Sequence, residues 1–198
     1  MRRVVLMLAA MALAMLLASG VAWAVTKIGT NGPDTLRGTN GDDNLLGRGG
    51  NDRLFSLDGD DNLLGGKGKD VVVSGTRRQP ESARGDKNLE GGPGNDIVFG
   101  GLGSDSVLGG EGNDFLIDGP TREFSQDKLT AGAGNDAIAI ENIPASEDVL
   151  TCGRGFDRVS VDREDLVAPD CERVFTSFDR WLESIPPSFF EGLPARVF

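Results

Sequence analysis

The 198-residue chain contains no histidine. That removes Ser-His-Asp and Cys-His catalytic sites and the H-E-x-x-H zinc motif together. No G-x-S-x-G nucleophile elbow occurs either. Cysteine is limited to Cys152 and Cys171, and two thiols without a histidine or a further cysteine make a poor metal site. Positive charge is scarce: 20 Lys and Arg stand against 31 Asp and Glu, a net charge of −11. Nucleic acid is therefore disfavoured as a partner, because phosphate recognition needs net or local positive charge. Arg77-Arg78 is the one tight basic pair outside the N-terminal segment.

The long apolar run Val4 to Leu17 follows Met1-Arg2-Arg3 and precedes Ala22-Trp23-Ala24. It falls short of the ~20 residues of a spanning helix. A basic start, an apolar stretch and an A-x-A site describe a Sec-type secretory signal peptide, with cleavage expected after Ala24. An uncleaved anchor is the alternative. Without Arg2 and Arg3 the balance is 18 basic against 31 acidic side chains, a charge of −13. So acidic a chain, poor in apolar residues, stays unfolded unless something neutralises it. Cations are the partners its surface fits.

What is abundant is glycine and aspartate in register. Asp34, Asp43, Asp52, Asp61 and Asp70 stand nine residues apart, and Asp96, Asp105 and Asp114 resume the period. Asp136 and Asp157 carry the same local motif after longer gaps. Each has a glycine two residues before it, as in Gly94 and Gly112, and an aliphatic residue two after it, as in Val98 and Leu116. A fixed short period is the signature of a solenoid. The last three positions of each repeat alternate about an aliphatic centre, so one side chain faces inward and two outward. Two repeats make one coil of 18 residues, and stacked coils would pair as parallel strands. The glycine-rich turns free carbonyl groups, and the aspartates add charge. Hard cations such as Ca²⁺ take oxygen donors of both kinds. A plain Asn/Asp/Gly turn without an ion is the alternative for a single copy; a column of stacked carboxylates without cations would repel itself.

The runs Gly91-Gly92-Pro93-Gly94-Asn95-Asp96-Ile97-Val98-Phe99 and Gly109-Gly110-Glu111-Gly112-Asn113-Asp114-Phe115-Leu116-Ile117 fit G-G-x-G-x-D-x-U-x at every position. On these the chain resembles the hemolysin-type (RTX) calcium-binding repeat family. The resemblance implies an all-β fold, a parallel β-roll with Ca²⁺ held between turns of successive coils. The implied ligands are Asp34, Asp43, Asp52, Asp61, Asp70, Asp96, Asp105, Asp114, Asp136 and Asp157. The backbone carbonyls of Gly91, Pro93, Gly100, Leu102, Gly109 and Glu111 join them. Same-side pairs include Asp34 with Asp52, Asp43 with Asp61, Asp52 with Asp70, and Asp96 with Asp114. Weaker copies carry Thr30, Thr39 and Arg48 at the second glycine position, Ser56-Leu57 in place of both glycines, or begin with Ala131 or Cys152.

The expected layout is a leader over 1–24, a roll over 25–174 and a tail over 175–198. Three stretches, 74–87, 118–127 and 140–148, hold eight, four and three residues more than the period needs. Each leaves the coil in frame, so each is expected to bulge from one turn. Cys152 and Cys171 are 19 residues apart, near one coil length, which places them on adjacent coils within reach of a disulfide. Cys152-Gly153-Arg154-Gly155-Phe156-Asp157 with Pro169-Asp170-Cys171-Glu172 also resembles the closing segment of small exported members of the family. Asp162, Asp165 and Asp170 are expected to be surface charge. The tail concentrates aromatic residues and spaces Phe178, Trp181, Leu182 and Ile185 for a short helix before Pro186. An irregular or helical C-terminal cap follows, since a solenoid needs its end covered.

Some members of the family are proteases or lipases, with a catalytic domain ahead of the repeats. Here the repeats follow the expected leader within a few residues, so the chain is not expected to be an enzyme. Carboxylate-pair glycosidase chemistry is open by composition, but these aspartates occupy turn positions. The function expected is an exported, monomeric calcium-binding protein whose folding is coupled to the ion. The alternative is an adhesin or toxin-like scaffold whose loops or aromatic tail contact an unknown partner.

Overall fold

The computed structural model describes residues 24–75, 88–118, 125–140, 147–176 and 184–186. The leader up to residue 23, most of the three insertions and most of the tail, with its expected helix, lie outside the described residues. The described residues form sixteen short strands: β1 (Thr26–Ile28), β2 (Thr35–Arg37), β3 (Asn44–Gly49), β4 (Arg53–Phe55), β5 (Asn62–Lys67), β6 (Val71–Val73), β7 (Asn88–Pro93), β8 (Ile97–Phe99), β9 (Ser106–Glu111), β10 (Phe115–Ile117), β11 (Lys128–Ala133), β12 (Ala137–Ile140), β13 (Val149–Arg154), β14 (Arg158–Val161), β15 (Leu166–Val167) and β16 (Arg173–Phe175). Odd-numbered strands make one parallel eight-stranded sheet and even-numbered strands the other, each strand pairing with the one two further along. This is the expected β-roll.

The register follows the aliphatic period. Leu45 pairs with Leu63, Leu63 with Leu89 and Leu89 with Val107 in the first sheet. Leu54 pairs with Val72, Val72 with Val98 and Val98 with Leu116 in the second. Between the sheets these side chains form one buried column that runs through Leu129, Ile138, Leu150 and Val159. Burying each contributes about 1.5–3 kcal/mol. The column is thin, so every coil depends on its neighbours.

Two details depart from the simple repeat. Between its short end strands β1 and β15, the strands of the first sheet run six residues, because the glycines after the triplet go on pairing: Gly92 with Gly110, Gly110 with Gly132 and Gly132 with Gly153. In the middle coils the outward residues of the second sheet are apolar. Val71, Ile97, Phe115, Ala137 and Ala139 form a second buried cluster with Ile185 from the tail. The described part of the tail therefore lies against the flank of the roll.

Cys152 and Cys171 are disulfide-bonded, with Cα atoms 5.2 Å apart. Cys152 sits in β13 within the core column, and Cys171 packs against that column just before β16.

Candidate metal centre

Each register aspartate ends a glycine turn immediately before a strand, and its carboxylate points along the stack. One oxygen is used in the same way throughout. Oδ1 of Asp52 accepts the backbone N–H of Asp34 at 2.8 Å, and Oδ1 of Asp70 accepts that of Asp52 at 2.7 Å. Asp96, Asp114, Asp136 and Asp157 continue the series at 2.7–2.8 Å, and Glu172 closes it by accepting from Asp157. These residues line one edge of the roll. The opposite edge carries Asp43, which accepts from Val25, and Asp61, which accepts from Asp43. It resumes with Asp127 accepting from Asp105 and Asp148 from Asp127. The same-side pairs named from the sequence are thus neighbours in the stack.

The other oxygen, Oδ2, is buried without a hydrogen-bond partner at Asp52, Asp70, Asp96, Asp114, Asp136 and Asp157. At Asp52, Asp70, Asp96 and Asp114 it faces a cradle left open by Gly47, Gly65, Gly91 and Gly109, whereas Ala131 and Cys152 open the turns of Asp136 and Asp157. A Cβ on Gly65 would meet Oδ2 of Asp70 and the carbonyl oxygen of Gly91, both at 2.7 Å. A Cβ on Gly91 would meet Oδ2 of Asp96 at 2.7 Å and the Gly109 carbonyl at 2.8 Å. Carboxylate oxygen from one turn and carbonyl oxygen from the next coil thus converge on each cradle. All donors are oxygen, and orphaned buried oxygens cost free energy unless something electropositive meets them. The donor set fits a hard cation. Of the expected carbonyls, Gly91 and Gly109 line these cradles, whereas those of Pro93 and Glu111 accept the N–H groups of Gly68 and Gly94 in the strand ladder.

The first two turns are built differently. Thr30 donates its N–H at 2.5 Å and its hydroxyl at 2.9 Å to Oδ2 of Asp34. Thr39 donates in the same manner to Asp43. Threonine at the second glycine position satisfies inside the turn the oxygen that the glycine copies leave open.

Electrostatics follow the same division. Threonine hydrogen bonds hold the half-buried Asp34 below the usual carboxylate range. Burial pushes the aspartates of the middle coils up, to about 6 at Asp70, about 7 at Asp96 and Asp136, and about 8 at Asp114. At Asp114 the neighbouring carboxylates of Asp136 and Asp96 add to the rise, against the N–H bond from Asp96.

Several residues of the stack escaped the sequence reading. Asp127 and Asp148 occupy register positions at the ends of insertions. Asp165, expected as surface charge, accepts the N–H groups of Asp148 at 3.3 Å and Asp162 at 2.7 Å and so extends that edge. Asp170 accepts from Gly153. A parallel asparagine ladder stands beside the aspartates: Asn95 accepts from Asn113, Asn113 from Asn135, and Asn135 from Phe156. Its signal was the asparagine preceding Asp96, Asp114 and Asp136.

A parallel roll whose turns stack buried carboxylates against backbone carbonyls offers an all-oxygen donor set that fits hard cations. The chain carries the RTX calcium-binding nonapeptide repeat: the family model described as RTX calcium-binding nonapeptide repeat (4 copies) matches residues 28–63, 47–76 and 85–116. RTX nonapeptide repeats bind Ca²⁺, and Ca²⁺ is the cation these Asp-rich turns imply. The coils continue in register well past the matched stretches, to Phe175. No curated protein and no solved structure matches the chain.

Proposed function

We propose that the chain is an exported calcium-binding protein whose roll completes its folding when Ca²⁺ enters the turns. The observation that carries this reading is the buried, unpartnered Oδ2 on six successive aspartates of one edge. Packing them without a cation leaves both desolvation and repulsion uncompensated. Ca²⁺ would answer both, so binding free energy becomes folding free energy. The basic, apolar and A-x-A pattern over residues 1–24 supports export, as does the habit of RTX repeat proteins. The disulfide fits an oxidising compartment.

We assign the chain no catalytic role. The absence of histidine from the sequence and the use of the aspartates as turn residues support that assignment. An adhesive or toxin-like use of the roll would rest on the 74–87 loop and the aromatic tail, most of which lie outside the described residues. Membrane binding by the purified protein would favour it.

Equilibrium dialysis against Ca²⁺ tests the reading. Several ions bound per chain are expected, with Mg²⁺ a poor substitute because it demands tight octahedral geometry. A chain that takes up no Ca²⁺ would overturn it.

A further inference from the structure

One turn departs from the repeat by gaining a carboxylate. Strand β10 ends at Ile117, and the next residue is Asp118. At the matching place after β8 the chain has Gly100, and Gly91 and Gly109 likewise open their repeats. Asp118 therefore puts an acidic side chain where the coils of this edge otherwise carry Gly38, Ser56, Ser74 and Gly100. It is 5% exposed, and neither of its carboxylate oxygens has a hydrogen-bond partner. The side chain is aimed into the turn. A Cβ on Gly100, one coil below, would meet Oδ1 of Asp118 at 2.8 Å and Oδ2 of Asp105 at 3.3 Å.

Three carboxylates meet there. Asp105, Asp118 and Asp127 are all buried, and one oxygen from each lies within 4.8 Å of the others. Asp105 and Asp127 are already joined through the backbone, since Oδ1 of Asp127 accepts the N–H of Asp105 at 2.6 Å. A neutral oxygen is close by: the Ser125 hydroxyl lies 3.4 Å from Oδ2 of Asp127. The donor set has no nitrogen or sulfur, which argues against zinc and for a hard cation.

We infer that Asp118 completes a three-carboxylate calcium site with Asp105 and Asp127 that is distinct from the repeat's ordinary turns and is the tightest in the roll. The inference rests on the calcium-binding reading of the roll and goes one step further. Calcium affinity rises with the number of charged ligands and with the rigidity of the site. Here the charge count rises, because a third buried carboxylate joins two that are already buried. The site would fill first as Ca²⁺ rises, and it stands between β9 and β11, where it would anchor the coils on either side.

The competing account is a proton shared between the Asp118 and Asp127 carboxyls, with no ion involved. Asp118→Asn separates the two, since asparagine reproduces a protonated carboxyl in shape and neutrality but lacks the charge of a ligand. Asp118→Gly places there the residue found at Gly38 and Gly100, and circular dichroism reports whether that variant folds. The experiment is equilibrium dialysis of the full chain and both variants over a range of free Ca²⁺, with far-UV circular dichroism at saturating Ca²⁺. The wild type should show one ion held at least about tenfold more tightly than the remainder. Both variants should lose that tight class and keep the β-rich spectrum at saturation. Variants whose binding curves superimpose on the wild type would overturn this inference and leave the general calcium reading standing. A wild type that binds several ions with no tight class would do the same. A wild type that binds no Ca²⁺ would overturn both.

Discussion

Oδ1 of Asp114 accepts the backbone N–H of Asp96 at 2.8 Å, across the 18 residues of one coil. The same carboxylate keeps Oδ2 buried beside the Gly109 cradle with no partner in the protein. One oxygen thus sets the register of the stack, and the other faces the open glycine cradle. Stability and binding are tied through a single side chain. Asp96→Ala and Asp114→Ala should each weaken Ca²⁺ binding and lower the melting temperature in Ca²⁺. Asp86→Ala, in the first insertion, should do neither. Three equal effects in a calorimetric titration would contradict the ligand assignment.

The middle aspartates make the metal-free roll sensitive to pH. Burial raises Asp96 and Asp136 to about 7 and Asp114 to about 8, from an ordinary value of 3.8. Between those limits the folded roll holds more protons than the unfolded chain. Raising the pH through this window therefore removes stability. In chelator the β-rich signal should survive better at pH 5 than at pH 8. With Ca²⁺ present the order should reverse, because protons and the ion compete for the same oxygens. A chelated chain that is more stable at pH 8 than at pH 5 would contradict this.

Two glycines of the same motif position should respond differently to alanine. Gly112 has φ near 122°, and a Cβ there would overlap the carbonyl oxygen of Gly94 in the coil below. Gly32, in the first coil, has only the Thr30 hydroxyl nearby, at 3.8 Å. Gly112→Ala should cost more than about 2 kcal/mol, and Gly32→Ala well under 1 kcal/mol at roughly the usual surface level. Chemical denaturation in Ca²⁺ measures both.

Most of the roll was legible because its period is short and its core is one column. The triplet centres Leu89, Leu129 and Leu150, placed across the insertions by counting, all lie in that column. The hydrogen-bond spacing confirms the counting. The interval between successive aspartates is 18 in plain coils, 26 from Asp70 to Asp96, 22 from Asp114 to Asp136 and 21 from Asp136 to Asp157. Asp127 and Asp148 were missed because their turns lack the glycine two residues before, where Ser125 and Ser146 stand. Aspartate two residues before an aliphatic residue was the surviving signal, and it also marks Asp165 ahead of Val167. The apolar outer face of the second sheet was hidden for another reason. A nine-residue period averages the two sheets, whereas an 18-residue period separates Ile97 and Phe115 from Ser106 and Lys128. Asp118 could not be read at all, because it replaces a residue that the motif leaves without a side chain.

The disulfide closes the last coils. Cys152 and Cys171 span 19 residues, and a loop of that size lends about 3 kcal/mol by limiting the unfolded chain. Cys152→Ser with Cys171→Ser should lower the denaturation midpoint by a corresponding amount while leaving the number of bound Ca²⁺ ions unchanged. A loss of ions would show that the disulfide is needed to hold the Asp157 turn in its cation-binding form.

The most direct test of the account is far-UV circular dichroism of residues 25–198, titrated with CaCl₂ and then with chelator. Folding coupled to the ion predicts an unfolded spectrum without Ca²⁺, a β-rich spectrum with it, and full reversal on chelation. A β-rich spectrum indifferent to chelator, in protein shown by metal analysis to be free of Ca²⁺, would contradict it.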